Sequence, residues 1–413
     1  MSMAKKTKFW GILNLLVVVA ALGYFVDIYD LVLFGMLRVP SLTSLGVLPK
    51  DLLDTGLTLL NFQMFGMLVG GIFWGVLGDK KGRLFVLFGS IFTYAAATAA
   101  NGLVHSVEWY GVFRFLAGFG LAGELGAGIT LVSETLPKDK RGYGTTLVAS
   151  IGIMGALAAW FMVQHFDWRM NYFIGGGLGF VLLFLRFGAY ESGLYKNLLQ
   201  TRVKRGNIVA LFTNRERFSR YIRCILVGIP IWFMVGIIVT FSPEFARVMG
   251  VVGSVTAVTA IMICYMGFVL GDLASGLISQ LTRSRKKVMI GFMILVTVFV
   301  IETLLSRGIS SEQFYLLCFA MGVSGGYWAL FLTVSAEQFG TNLRATVATT
   351  VPNFVRGSVV LLVILFRSLI PQIGFMEAAG VTATLSLGLG FLAIVRLKET
   401  FGKDLDYLEN HHL

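Results

Sequence analysis

Long apolar runs separated by short polar segments occupy almost the whole chain. A helix that crosses a membrane needs about 20 predominantly apolar residues. The runs are too long for strands and lack the alternation of a half-buried strand. We therefore predict twelve transmembrane helices, at residues 10–37, 52–78, 84–105, 109–133, 145–165, 169–187, 222–244, 254–282, 287–306, 313–335, 345–369 and 376–397.

The composition agrees with that pattern. The chain has 413 residues, of which 56% are hydrophobic and 14% are charged, whereas soluble domains carry about 25% charged residues. A chain this apolar needs the bilayer as its solvent. The predicted fold class is an all-α membrane protein.

Basic residues indicate the orientation. With a cytoplasmic N-terminus, most Lys and Arg residues fall on the cytoplasmic side, Arg186 among them, as the positive-inside rule requires. The predicted outer side receives only Arg38, Lys50, Arg169, Arg247, Arg307 and Arg367. Both termini are therefore predicted to be cytoplasmic. This asymmetry explains the net charge of +12 without a nucleic-acid partner.

The only long polar segment lies in the middle of the chain, at residues 188–221. Two halves joined by a basic linker are typical of internally duplicated transporters. We predict two pseudo-symmetric six-helix bundles, 1–187 and 222–413, the second ending in a short cytoplasmic tail.

The loop after the second predicted helix carries a recognisable motif. Residues 75–84 read GVLGDKKGRL, which resembles the loop motif G-x-L-x-D-R-x-G-R-R of the major facilitator superfamily, with Lys80 and Leu84 as departures. A weaker copy follows the eighth helix, at residues 276–286. The resemblance covers essentially the whole chain, and it implies the major facilitator fold and transport by alternating access.

A second set of residues resembles the sugar-porter and metabolite:proton symporter branches of that superfamily. Helix one contains Asp27-Ile-Tyr29-Asp30, and helix four contains the segment from Arg114 to Glu124. The resemblance implies proton coupling by a helix-one acid, with the helix-four Arg114 as its partner. It also implies a cytoplasmic salt-bridge gate formed by Asp79, Arg83, Glu134, Arg141 and Glu191.

Ionisable residues inside the predicted spans are the main candidates for function. Each costs about 2.5–3.5 kcal/mol on insertion scales and usually faces a cavity or a partner. The candidates for proton coupling are Asp27, Asp30, Arg114 and Glu124. The alternative is that they form static pairs that stabilise helix packing.

Arg356 lies near the middle of predicted helix eleven, with Asn353 and Thr349 on the same stripe. Such a stripe can hold a carboxylate or a phosphate through charge-assisted hydrogen bonds. An ion pair between Arg356 and Asp272 is the alternative. Further candidates for substrate binding are Tyr29, Asp272, Gln63, Gln164, Tyr327 and Trp328. Other aromatic residues face either the cavity or lipid, namely Tyr24, Trp160, Trp232 and Tyr265.

These residues predict a proton-coupled transporter that imports a small organic anion of the carboxylate type across the cell inner membrane. An importer of amino acids or carboxylate siderophores and a sugar uniporter are alternatives. Proton-driven efflux of metabolites or drugs is another, although helix five reads Gly152-Ile-Met-Gly155-Ala and lacks the proline of the drug-antiporter motif.

No motif of an enzyme occurs in the sequence, and no cofactor is expected. The three cysteines, Cys224, Cys264 and Cys318, lie in apolar segments without metal-ligand spacing. The expected partners are a small-molecule substrate, protons and the lipid bilayer. By resemblance, the protein is expected to be a monomer.

Overall fold

The computed structural model describes residues 15–81, 83–124, 141–191, 211–403 and 409. These residues are almost entirely helical, and the isolated β-bridge among them joins Val252 and Ser310. The helices are α1 (Leu15–Ser44), α2 (Leu52–Lys81), α3 (Arg83–Asn101), α4 (Val107–Leu121), α5 (Arg141–His165), α6 (Trp168–Glu191), α7 (Arg215–Phe233), α8 (Ser242–Met249), α9 (Ala257–Thr282), α10 (Arg285–Leu305), α11 (Ser311–Gly325), α12 (Trp328–Glu337), α13 (Thr341–Ile373) and α14 (Phe375–Arg396). A 3₁₀ turn, Pro49–Asp51, precedes α2, and a π-helical segment, Met234–Val239, continues α7.

Nine helical segments of the described residues are long and apolar enough to cross a membrane. They are Val17–Ser44, Pro49–Leu77, Trp168–Phe187, Arg215–Val239, Ala257–Thr282, Arg285–Leu305, Ser311–Glu337, Thr346–Ile373 and Phe375–Arg396. Two shorter apolar helices are Phe85–Asn101 and Ile151–His165. The all-α membrane fold class is confirmed, whereas the number twelve stays a prediction because the fourth predicted span continues beyond the described residues.

Several of the helices differ in extent from the predicted spans. α1 continues to Ser44, and α7 begins at Arg215 instead of 222 because the Asn214 side chain accepts hydrogen bonds from the first free backbone amides. The basic first turns of α7 resemble a linker in the sequence. The tenth predicted span is broken at Gly326 and Tyr327 into α11 and α12.

The helices pack in two groups. In the first, α1 packs on α5, α2 on α4, and α3 on both α4 and α6. In the second, α9 packs on α11, and α7 packs on both α13 and α14. The largest contacts between the groups join α2 to α13 and α5 to α9. The division into domains at residues 187 and 222 remains a prediction.

Small residues allow the closest approaches between helices. In α4, Gly118 faces the backbone of Gln63 in α2, and Gly322 of α11 faces the backbone of Cys264 in α9. A Cβ atom at either glycine would collide with the neighbouring backbone. Such contacts bring helices together in lipid, where no hydrophobic effect drives helices against each other.

Candidate functional site

A small cavity lies between the two groups of helices. Its walls come from α1, α5, α7 with its π-helical segment, α9, α12 and α13. The lining residues are Tyr24, Ile28, Ile153, Ile231, Trp232, Val235, Tyr265, Phe268, Trp328 and Arg356. A second small cavity shares Trp232, Val235 and Tyr265 with it. Most of the lining is apolar or aromatic, as in sites for small organic ligands.

Arg356 is the positively charged member of the described residues that line this cavity. It is 1% exposed, and its guanidinium carbon lies 5.4 Å from the ring centre of Trp232 and 6.0 Å from that of Trp328. Within the described part of the chain, its Nε and Nη1 atoms have no hydrogen-bond partner. Arg356 therefore keeps donor capacity for an anionic ligand.

The ion-pair partner of Arg356 is Asp27. Nη2 of Arg356 lies 3.7 Å from Oδ2 of Asp27, and the Asp27 side chain is fully buried. Neither carboxylate oxygen of Asp27 has a hydrogen bond from another described residue. At this distance the pair is loose, so a ligand carboxylate can compete with Asp27 for the guanidinium.

The pairings expected from the sequence differ from those observed. Asp27 faces Arg356 across the two groups of helices, and Arg114 forms no salt bridge with it in the described structure. The alternative pair between Arg356 and Asp272 is not formed either, since Asp272 accepts a hydrogen bond from the amide of Ala329 at 3.0 Å. Which charges meet depends on how each helix is rotated about its axis. Spans that are apolar on all sides contain no sequence pattern that indicates this rotation.

Asp30 follows Asp27 on α1 at a spacing of three residues and has its own set of neighbours. Asp30 and Arg114 are both fully buried, and the charge of Arg114 acts on Asp30 electrostatically. Oδ1 of Asp30 accepts a hydrogen bond from the hydroxyl of Thr98 at 2.9 Å. Arg114 lies against the rings of Phe34 and Tyr172, at 5.2 and 5.8 Å from their centres.

Asp272 lies on the same face of α9 as Tyr265 and Phe268, one turn beyond the lining residues. Its bond to Ala329 caps the first turn of α12 at the break in the tenth predicted span. Its Oδ2 atom is buried without a hydrogen bond from another described residue. Asp272 thus combines a structural contact with one unpaired oxygen near the cavity.

Glu124 forms a buried ion pair with Arg186. Two guanidinium nitrogens face the carboxylate, and the Nη1 to Oε2 distance is 3.0 Å. The backbone of Gly23 in α1 packs directly against this pair. Arg186 was wrongly predicted to belong to the basic cytoplasmic loop, because it lies near the end of an apolar run. In the structure it is 2% exposed and belongs to α6.

Several predicted substrate-binding residues make other contacts. The side-chain amide of Asn353 donates to the backbone oxygen of Ala122 at 2.7 Å and so joins α13 to the end of α4. The hydroxyl of Tyr29 donates to the carbonyl of Asn171, and that of Tyr327 donates to the carbonyl of Val227.

The glutamines are not at the cavity wall either. Gln63 is buried beside α4, and its side-chain amide makes no hydrogen bond with other described residues. Gln164 is exposed near the end of α5. Of the predicted substrate-binding residues, Arg356 and Trp328 line the cavity.

The proposed cytoplasmic gate cannot be placed on the structure. Glu134 lies outside the described residues. Asp79, Arg83, Arg141 and Glu191 lie in helices, but their side chains are outside the described set. The gate therefore stays a prediction from resemblance.

Two ion pairs that the sequence did not indicate join the two groups at the predicted outer side. Nη2 of Arg38 lies 2.7 Å from Oε1 of Glu244, and the Arg38 side chain is fully buried. Nε of Arg367 lies 2.5 Å from Oδ1 of Asp54, and that pair is about half exposed. Both arginines were counted only as basic residues of the predicted outer side, a count that carries no pairing signal.

Comparisons with known proteins agree with this architecture. Residues 15–364 match the family model of the Major Facilitator Superfamily. The chain therefore belongs to the Major Facilitator Superfamily, as the loop motif indicated.

Individual relatives match part of the chain. A putative metabolite transport protein of Haemophilus influenzae is 31% identical over 180 residues, 43% of each chain. The niacin transporter NiaP of Acinetobacter baylyi is 32% identical over 162 residues, 38% of this chain and 36% of that protein. A putative proline/betaine transporter of Staphylococcus aureus is 28% identical over 221 residues, 47% of each chain. The chain thus aligns with less than half the length of these curated relatives.

Proposed function

We propose that this protein is a proton-coupled secondary transporter that imports a small organic carboxylate by alternating access. The observation that carries the proposal is the position of Arg356. This buried guanidinium lines a mostly apolar cavity, keeps two nitrogens without hydrogen bonds from other described residues, and has Asp27 as a loose partner at 3.7 Å. A guanidinium binds carboxylates through charge-assisted, often bidentate hydrogen bonds.

The same pair suggests how protons are coupled. A substrate carboxylate at Arg356 would place a second negative charge beside Asp27 in an apolar surrounding. Two buried carboxylates sharing one cation favour uptake of a proton by one of them. Binding of the substrate anion would therefore bring one proton to Asp27, and both would be released together when the cavity opens to the other side.

The walls of the cavity suggest the shape of the substrate. Trp232, Trp328, Tyr265 and Phe268 present aromatic surface around Arg356. Offset or edge-to-face contacts with such rings favour a flat ring on the ligand. The name of the Acinetobacter relative, a niacin transporter, supports this class.

A zwitterion is the second candidate. The unpaired Oδ2 of Asp272 lies one turn from the cavity lining, and its charge acts on Tyr24, as do those of Arg356 and Asp27. An ammonium group on the substrate would find its partner there, while the carboxylate binds Arg356. The name of the Staphylococcus relative, a putative proline/betaine transporter, supports this variant.

The test is ligand-induced thermal stabilisation of the purified protein. The ligands are niacin, its uncharged amide nicotinamide, proline, glycine betaine and glucose, each at acidic and neutral pH. A ligand at 100 times its Kd stabilises the folded state by about 2.7 kcal/mol. We expect niacin to raise the melting temperature more than nicotinamide, and more at acidic pH.

Two arginine variants complete the design. Arg356→Ala should abolish the stabilisation by niacin, whereas Arg367→Ala, which removes an arginine of the exposed pair at the predicted outer side, should preserve it. Stabilisation by proline or betaine that is lost in Asp272→Asn would favour the zwitterion. Equal stabilisation of wild type and Arg356→Ala by nicotinamide or glucose, with none by the carboxylates, would overturn the proposal.

We also propose that both termini lie in the cytoplasm and that the membrane is the cell inner membrane. The support is the distribution of Lys and Arg between the two predicted sides.

A further inference from the structure

We infer that the indole N–H of Trp232 donates a hydrogen bond to a nitrogen atom in the ring of the substrate. The inference deepens the proposed function and rests on it, since it takes a carboxylate at Arg356 as given. It narrows the substrate to an aromatic carboxylate whose ring contains a nitrogen with a free lone pair. Trp232 is then a residue that determines specificity.

The indole N–H of Trp232 is a buried donor without a partner. Its Nε1 atom makes no hydrogen bond with any described residue, and the side chain is 6% exposed. An indole has this one donor and no acceptor. Buried polar groups in native proteins nearly always have a partner, because an unpaired one lowers stability. A water molecule or a ligand can supply the acceptor, and the position of Trp232 favours a ligand.

Trp232 lines both the cavity that contains Arg356 and the neighbouring cavity. Among the described residues that line these two cavities, Trp232 and Arg356 are the ones with buried side-chain nitrogens that lack a hydrogen bond. A few polar groups in a mostly apolar wall are what orient a small ligand. The guanidinium carbon of Arg356 lies 5.4 Å from the ring centre of Trp232. A ring whose carboxylate is bound to Arg356 is therefore within reach of Trp232.

The ring of Trp232 is held in place by its neighbours. It packs edge-on against Trp328, with 6.1 Å between the ring centres and an angle of 68° between the planes. Trp232 lies in the last turn of α7, directly before the π-helical segment Met234–Val239, and such segments are frequent at functional sites. Packing against Trp328 and Arg356 limits rotation of the ring, so its N–H has a fixed direction and can select among ligands.

The chemistry of the cavity indicates a ring nitrogen as the acceptor. Arg356 takes the carboxylate, so the acceptor for Trp232 belongs to another part of the ligand. The aromatic walls favour a flat ring, and a nitrogen within that ring is an acceptor that adds no bulk. A carbon in its place leaves the N–H of Trp232 unpaired in the bound state. The cavity should therefore prefer a pyridine carboxylate to benzoate, which has nearly the same shape.

A cavity without such a donor would show the opposite preference. The nitrogen of a pyridine ring gives up hydrogen bonds to water when it enters an apolar site, and this loss opposes binding. Benzoate has no such group and loses nothing. A preference for the pyridine carboxylate is therefore a sign of a hydrogen-bond donor in the cavity wall.

The experiment compares niacin with benzoate by isothermal calorimetry on the purified full chain. The pH is neutral, where the pyridine nitrogen of niacin carries no proton and can accept a hydrogen bond. We expect benzoate to bind roughly tenfold more weakly than niacin, about the contribution of one hydrogen bond. Trp232→Phe keeps an aromatic ring in the wall and removes the N–H, so it should bind the two ligands with similar affinity.

Trp328→Phe is the matched control, because it removes an indole from the wall of the same cavity. It should weaken both ligands alike and preserve the ratio of their affinities. The melting temperature of each variant shows whether it folds. The comparison of the two ligands on wild type depends on no variant.

Three results would contradict the inference. Equal affinities of wild type for niacin and benzoate, or a ratio that persists in Trp232→Phe, would overturn it and leave the proposed carboxylate transport intact. A ratio that is lost in Trp328→Phe and kept in Trp232→Phe would assign the donor to the other indole. If neither carboxylate binds to wild type, the proposed function fails and this inference fails with it.

Discussion

Asp27 and Arg356 lie 3.7 Å apart at the boundary between the two groups of helices, one on α1 and the other on α13. Each is at most 1% exposed, and neither is fully satisfied by hydrogen bonds from the described residues. A loose ion pair that joins two moving parts can be broken by a ligand and formed again when the ligand leaves.

Replacing Asp27 by Asn should remove the pH dependence of substrate binding. In wild type, one coupled proton makes the affinity rise by up to about tenfold for each unit of pH decrease. Asp27→Asn keeps the shape of the side chain and supplies no titratable group, so its affinity should be flat over pH 5–8. The measurement is niacin binding by isothermal calorimetry at several pH values. Asp272→Asn is the control and should retain the slope; a retained slope in Asp27→Asn would place the coupled proton elsewhere.

Breaking the buried pair between Arg38 and Glu244 should shift the protein towards a conformation that is open at the predicted outer side. Glu244→Gln leaves the Arg38 charge buried without its partner, which costs about 3–5 kcal/mol in the closed state. The exposed pair of Asp54 and Arg367 contributes only about 0–1 kcal/mol, so Asp54→Asn should have little effect. Spin labels on α2 and α13 would report the opening as a longer distance. Equal distances in Glu244→Gln and wild type would show that this pair does not hold the outer side closed.

Removing Arg186 should destabilise the first group of helices. Arg186→Met leaves Glu124 buried and unpaired, at a cost of about 3–5 kcal/mol. The double variant Glu124→Gln/Arg186→Met should lose less stability than the sum of the losses in the two single variants, because it leaves neither charge buried without a partner. Thermal unfolding of the purified protein measures both effects. Arg367→Met, the same substitution at a half-exposed site, is the control, and additive losses would argue against the pair.

Glu399, which follows the last predicted span, holds the loop between α9 and α10 by hydrogen bonds. We expect this stabilisation to be lost in acid. Burial raises the pKa of Glu399, but hydrogen bonds from the Ser284 hydroxyl and from the backbone amides of Phe401, Arg285 and Thr400 outweigh it and lower the pKa to about 2. The pKa is lowered on folding, so the stabilisation is complete above the ordinary value near 4.5 and disappears as the pH falls towards 2.

The check for that prediction is the melting temperature between pH 3 and pH 7. Glu399→Gln should be less stable than wild type at neutral pH, and the difference should shrink as the pH falls. Glu302→Gln, at an exposed position in α10, should match wild type throughout. A constant difference between Glu399→Gln and wild type across this range would contradict the assignment.

The apolar runs and the loop motif at residues 75–84 were sufficient to predict the helical membrane fold and the superfamily. Both signals are local, since a span is recognised by its length and hydropathy and a turn by its glycines and charges. The sequence also identified Arg356 and Asp27 as functional candidates, because a charge in an apolar span is costly wherever it points.

The sequence did not predict the partner of each charge. A helix-one acid was expected beside Arg114, but Asp27 lies beside Arg356. Arg186 was counted with the cytoplasmic basic residues and lies buried against Glu124. These contacts depend on how each helix is rotated and how far it is shifted along its axis. Spans that are apolar all round carry no periodic signal for rotation.

The sequence by itself thus determined that the chain is a helical membrane protein of the Major Facilitator Superfamily and which costly charges it keeps within its spans. Only the tertiary structure decided which charges meet and that Trp232, Tyr265 and Trp328 enclose Arg356. Length and hydropathy are properties of single segments, whereas a cavity exists only where side chains from several packed helices converge.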